Sequence, residues 1–76
     1  MSQIPVIHTF SNRATRVEIG DERFYYSYDT LMAYETRQLR IRLASPPRTT
    51  TRDLKKMGVD WFEQVPMALF LDLIAL

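Results

Sequence analysis

Seven of the chain's ten basic residues stand in one stretch, RQLRIRLASPPRTTTRDLKK, from residue 37 to residue 56, and Asp53 is the only acid among them. Five are arginines (Arg37, Arg40, Arg42, Arg48 and Arg52), against the two lysines Lys55 and Lys56. A guanidinium presents a planar fork of donors that matches a carboxylate or a phosphate, whereas lysine would serve equally well for solubility. The chemistry suggested is therefore recognition of an anionic surface. The plainer alternative is that these cations only keep a sheet face and an edge in water. Tyr25 would add an aromatic platform. It lies between Arg23 and Ser27 in alternation, out of phase with Phe24, Tyr26 and Tyr28, and is expected to be exposed.

Catalytic chemistry finds little support. Ser27, His8 and several aspartates are present, but no nucleophile motif surrounds them and no pair of carboxylates is spaced in a polar setting. Two glycines do not build a phosphate loop, and one histidine without cysteine does not build a His/Cys metal site. No catalytic residue, metal or cofactor is expected.

The net charge of +1 hides an asymmetry. Residues 1–36 carry three bases against five acids, residues 37–56 seven against one, and residues 57–76 none against three, for local balances of −2, +6 and −3. Such a dipolar chain presents a local positive patch and does not condense nucleic acid generally. The absence of cysteine fits a reducing compartment. The start, MSQIPVIHTF, has no signal-peptide pattern, and no apolar run reaches the ~18 residues of a membrane span. A cytoplasmic protein without membrane contact is expected.

The elements that would position the cations can be read from periodicity. Seventy-six residues make one domain, residues 1–76, which buries only about 60% of its unfolded surface. TRVEIGDERFYYSY alternates on both sides of Gly20 and Asp21 and predicts a hairpin with a two-residue turn. TLMAYE and QLRIRLA predict two more strands, the second with Leu39, Ile41 and Leu43 inward and Arg40 and Arg42 outward, and PVIHTF a further one edged by Pro5. Pro46 and Pro47 end the sheet. TTTRDLKKMG predicts a helix over about 50–57, with threonine caps, Asp53 in its first turn, lysines in its last and Gly58 as its stop. A second helix is expected over about 60–75, capped by Asp60 and Glu63 and either kinked or restarted at Pro66. The fold class is α+β: an antiparallel meander of four to five strands within about 5–44, covered on one face by two helices.

The tail PMALFLDLIAL is apolar except at Pro66 and Asp72, so a helix built from it exceeds the stripe that one sheet face requires. Leu69, Phe70, Leu73 and Leu76 follow a rhythm that would face the sheet, leaving Met67, Leu71 and Ile74 on another side. That second side is either deep core or a contact with a second copy, and a homodimer through this helix is expected.

YYSYDTLMAYETRQLRIRLASPPRTTTRDLKKMGV resembles an uncharacterised domain family found mainly in small bacteriophage proteins, which run strand, Y-x-S-Y-x-T-x-x-A-Y, strand, then T-T-T opening a helix. Tyr26, Ser27, Tyr28, Thr30, Ala33 and Tyr34, then Thr49, Thr50, Thr51 and Leu54, match that pattern. The resemblance covers roughly residues 15–75 and departs at the more apolar tail. It carries no catalytic residues. It implies a phage or prophage accessory protein acting inside a bacterium, in a class whose members often occupy a host protein's surface, inhibitors of CRISPR machinery among them. The expected partner is a host protein with an acidic surface. The alternative is a small nucleic-acid-binding module using the same 37–56 region.

Overall fold

The computed structural model describes residues 4–46 and 48–74, with the backbone alone at residue 49. Five strands, β1 (Val6–Thr9), β2 (Ala14–Ile19), β3 (Glu22–Ser27), β4 (Thr30–Glu35) and β5 (Arg40–Leu43), are followed by helix α1 (Arg48–Met57), strand β6 (Glu63–Val65) and helix α2 (Met67–Ile74). β1 to β5 form the expected antiparallel meander. β6 adds a sixth strand, parallel to β5, so the sheet is mixed. A parallel neighbour requires a crossover, and α1 supplies it.

The β2–β3 turn is the two-residue loop read from the sequence, with Ile19 opposite Glu22 and Gly20 at φ 60, where a side chain would be strained. β4 carries one residue more than β3 opposite it. Tyr25 pairs with Ala33 and Tyr26 with Leu31, which leaves Met32 as a bulge.

Alternation decides which helix covers which face. Ala14 faces Ser27 and Tyr25 faces Ala33 across the strands, and Ser27 meets α1 on that side. Tyr34 and Ile41 form a pair of the opposite phase, shared by Leu43, and all three are buried. α1 lies against β2, β3 and β4 while α2 contacts β5, so Phe70 and Ile74 of α2 cover the Ile41 side. One helix per face replaces the expected pair on a single face.

That arrangement corrects the aromatic assignments. Tyr25, expected on an open face, is 2% exposed beneath α1 and meets Phe62 edge-on at 5.9 Å. Tyr26 and Tyr28, whose phase with Phe24 predicts core positions for both, are respectively half-buried and an exposed turn residue at φ 56. The alternation was read correctly, but both phases have a cover.

The helix boundaries differ too. α1 begins at Arg48, which moves Asp53 from the first turn to the middle, while Lys55 and Lys56 in the last turn and Gly58 at φ 75 stand as expected. The segment assigned to a capped second helix contains β6 instead. Pro66 excludes a continuous helix, because it lacks an amide and drives Val65 into extended backbone. α2 starts immediately afterwards, with the Phe70 amide donating to the Pro66 carbonyl at 2.8 Å. Pro47 and Leu76, invoked above as a sheet stop and a sheet-facing residue, lie outside the described residues.

Candidate functional site

α1 has two faces at helical spacing. Thr50, Asp53, Leu54 and Met57 are buried, whereas Arg48, Arg52, Lys55 and Lys56 are exposed. The inner face is fixed by a polar contact at its centre. Asp53 is fully buried, and its carboxylate accepts from Ser27 Oγ at 2.8 Å and from Arg13 Nη2 at 3.2 Å. Thr50 Oγ1 donates to Ser27 Oγ at 3.3 Å. A buried charge is tolerated when paired and hydrogen-bonded in this way, and it sets the rotation of the helix about its axis.

With the helix so fixed, Arg48, Arg52 and Lys55 lie along its outer ridge and Lys56 on its flank, since residues three and four apart share a side. Among the described residues none of these four cations has a carboxylate within ion-pair distance. Their charge is available to a partner.

The other three cations of the stretch are committed elsewhere. Arg37 pairs with Asp21 at 3.3 Å, both side chains in water. Arg40 Nε donates to Glu35 at 3.0 Å, and its guanidinium stands 5.8 Å from the centre of the Trp61 ring. Arg42 donates to the carbonyls of Asp60 and Leu43 at 2.9 and 2.8 Å, tying the segment after α1 to β5. Arg42 is therefore a structural residue, and Arg40 is largely neutralised.

Glu35 belongs to a ladder of alternating charge across the α1 side of the sheet. Glu18 meets Arg23 at 3.0 Å and Arg16 and His8 at 3.3 and 3.4 Å, and Glu35 meets Arg23 at 3.5 Å and accepts from Tyr25 at 2.9 Å. Burial, then the bond to Glu35, pushes the Tyr25 phenol above its ordinary range. Between the β2–β3 turn and the β4–β5 loop a cleft of about 250 Å³ is lined by Asp21, Arg23, Glu35, Arg37 and Arg40. Its cations already face its own carboxylates. Among the described residues no three His, Asp or Glu side chains cluster to hold a metal ion.

α2 forms the second candidate surface. Phe70 and Ile74 are buried, while Met67, Leu69, Leu71 and Leu73 are each 42–53% exposed. Ile74, assigned above to self-association, is thus core. Leu69 and Leu73, assigned to the sheet, stand in water, and Met67 and Leu71 are exposed as that assignment required. No helix among the described residues is long and apolar enough to cross a membrane.

Two features lie outside the expectations set by the sequence, the burial of Asp53 and the exposed Trp61. Asp53 shares its spacing with Leu54 and Met57, a periodic signal that was available for its burial. Trp61, the sole tryptophan, is 66% exposed, and the acids Asp60 before it and Glu63 two residues on were the available signal. No family model, curated protein or solved structure matches the chain.

Proposed function

We propose that this is a non-enzymatic accessory protein of phage or prophage origin, working in the cytoplasm of a bacterial host, that binds and modulates a host protein through the outer face of α1. A component of CRISPR-type defence is the candidate target. The observation that carries the binding reading is the row of four cations, without ion-pair partners among the described residues, on a helix whose inner face is locked to the sheet. The phage setting rests on the Y-x-S-Y-x-T-x-x-A-Y and T-T-T resemblance alone. A fixed row of like charges favours recognition of a complementary acidic surface, and accelerates encounter with it. We propose further that the protein is a homodimer through α2, with Met67 and Leu71 at the contact.

The nucleic-acid reading uses the same row of cations. It loses its stacking residue with the burial of Tyr25. The two readings separate by salt: a phosphate binder making about six contacts loses on the order of a thousandfold in affinity between 50 and 200 mM salt, and a packed protein interface much less. The test is capture of host proteins by the parent and by a variant with Arg48, Arg52, Lys55 and Lys56 all changed to Glu. A specific host protein should be held by the parent and lost by the folded variant. Equal capture by both would reject α1 as the binding face.

A further inference from the structure

Trp61 is 66% exposed and yet fixed in place. Its Nε1–H donates to the Gly58 carbonyl at 2.8 Å, its ring meets Phe62 edge-on at 4.8 Å, and the Arg40 guanidinium, itself held by Glu35, lies 5.8 Å from its centre. The Gly58 amide in turn donates to the Lys55 carbonyl at 3.1 Å, which ties the indole to the last turn of α1. An ordered side chain in water loses little freedom on binding, and tryptophan and arginine are among the residue types that dominate interface energy.

We infer that Trp61 is the apolar anchor of the interface whose charged part is the α1 row, and that the element recognised is an acidic helix of a partner protein. Its carboxylates repeat every three or four residues to meet Arg48, Arg52 and Lys55, and an aliphatic or aromatic side chain beyond them packs on the indole. Arg48 to Lys55 spans about 10 Å at ~1.5 Å per residue, two turns of such a helix. This rests on the reading of α1 as a protein-binding face. Asp60 beside the indole and Glu63 two residues on are both exposed, and these carboxylates repel a continuous phosphate backbone. A protein helix can place an uncharged residue opposite each of them.

The chain's single tryptophan makes its emission a report on this site alone. The probes are a synthetic helical peptide with Glu at every third or fourth position and a terminal Leu, the same peptide with Ala replacing Leu, and oligothymidylate. The Leu peptide should shift Trp61 emission to the blue, shield it from acrylamide and bind about tenfold more tightly than the Ala peptide. Trp61→Ala should erase that difference and leave the Ala peptide's affinity unchanged, and Trp61→Phe should restore part of it. Equal binding of both peptides with unchanged emission would overturn the anchor and leave α1 as the binding face. Failure of both peptides to bind at low salt would overturn the acidic helix as partner. If the fourfold charge reversal also left host-protein capture intact, the reading of α1 would fall with it. Quenching by oligothymidylate with a steep salt dependence would overturn both in favour of nucleic acid.

Discussion

The two helices sit on opposite faces of one sheet, and each turns a different chemistry outward. α1 shows four cations and no exposed acid, and α2 shows four half-exposed apolar side chains and a single acid, Asp72. Their inner faces differ in the same sense, since α1 is centred on a buried carboxylate with bonded partners and α2 on the fully buried ring of Phe70. A chain of net charge +1 thus carries two independent surfaces, one suited to steering and one to area. The difference also sets an order for disturbing them.

The largest effect is expected at the anchor of α2. Phe70→Ala removes a fully buried aromatic at a cost of about 3–5 kcal/mol, close to the whole stability of a small domain, so the variant should be largely unfolded in urea titrations where the parent is folded. Asp53→Ala, at the anchor of α1, should cost less, about 2 kcal/mol. Ser27 and Thr50 stay bonded to each other and the Arg13 side chain, 35% exposed, turns to water. A larger loss at Asp53 than at Phe70 would invert the comparison and make the polar contact the principal tie between helix and sheet.

Exchanging the outer chemistries should act on association and spare the fold. If the apolar flank joins two copies, light scattering should give about twice 9.0 kDa for the parent and 9.0 kDa for a folded Leu71→Asp. Ile74→Asp should unfold instead, because Ile74 is 8% exposed. A parent that stays at 9.0 kDa across the micromolar range would reject the dimer. On the other helix, Arg48→Glu with Arg52→Glu should change stability by no more than about 0.5 kcal/mol, since neither cation has an ion-pair partner among the described residues.

Much of this arrangement was legible in the sequence, and what was not has identifiable causes. The hairpin at Gly20, the alternation of β5 and the stop at Gly58 are local, set by a turn, a period and a cap, and the structure has them where the residues placed them. The second cover was not local. Alternation sorted Tyr25 from Tyr26 correctly, but it cannot say which phase meets a helix when both do. β6 was hidden because Asp60 and Glu63 imitate a helix start, and only pairing with β5 makes Glu63–Val65 a strand. In the cation row the members are plain from the residues, whereas the division into free and committed charges depended on carboxylates brought from β4 and the hairpin turn and on the backbone carbonyls of Asp60 and Leu43. Half of the ten residues on which the resemblance to a phage domain rests have structural work here: Ser27 and Thr50 bond within the Asp53 contact, and Ala33, Tyr34 and Leu54 are buried.

An effect smaller than those at Phe70 and Asp53 should come from two tyrosines that face opposite sides of the sheet, Tyr25 on the α1 face bonded to Glu35 and Tyr34 on the α2 face bonded to Glu22 at 2.7 Å. Burial, then the bond to Glu22, pushes the Tyr34 phenol up to about 12. An unfolded tyrosine loses its proton near pH 10. Between those values the unfolded chain releases a proton that the folded chain keeps, so stability falls as pH rises, by about 1 kcal/mol per pH unit for this group, and is unaffected below about pH 9. Tyr34→Phe gives up the hydrogen bond at neutral pH, a loss of about 1 kcal/mol, and should flatten the alkaline limb. Tyr25→Phe should flatten it in the same direction, since that phenol is also raised. Urea unfolding from pH 7 to 11.5 checks both, and an alkaline slope in Tyr34→Phe as steep as the parent's would mean that Tyr34 is not the group being titrated.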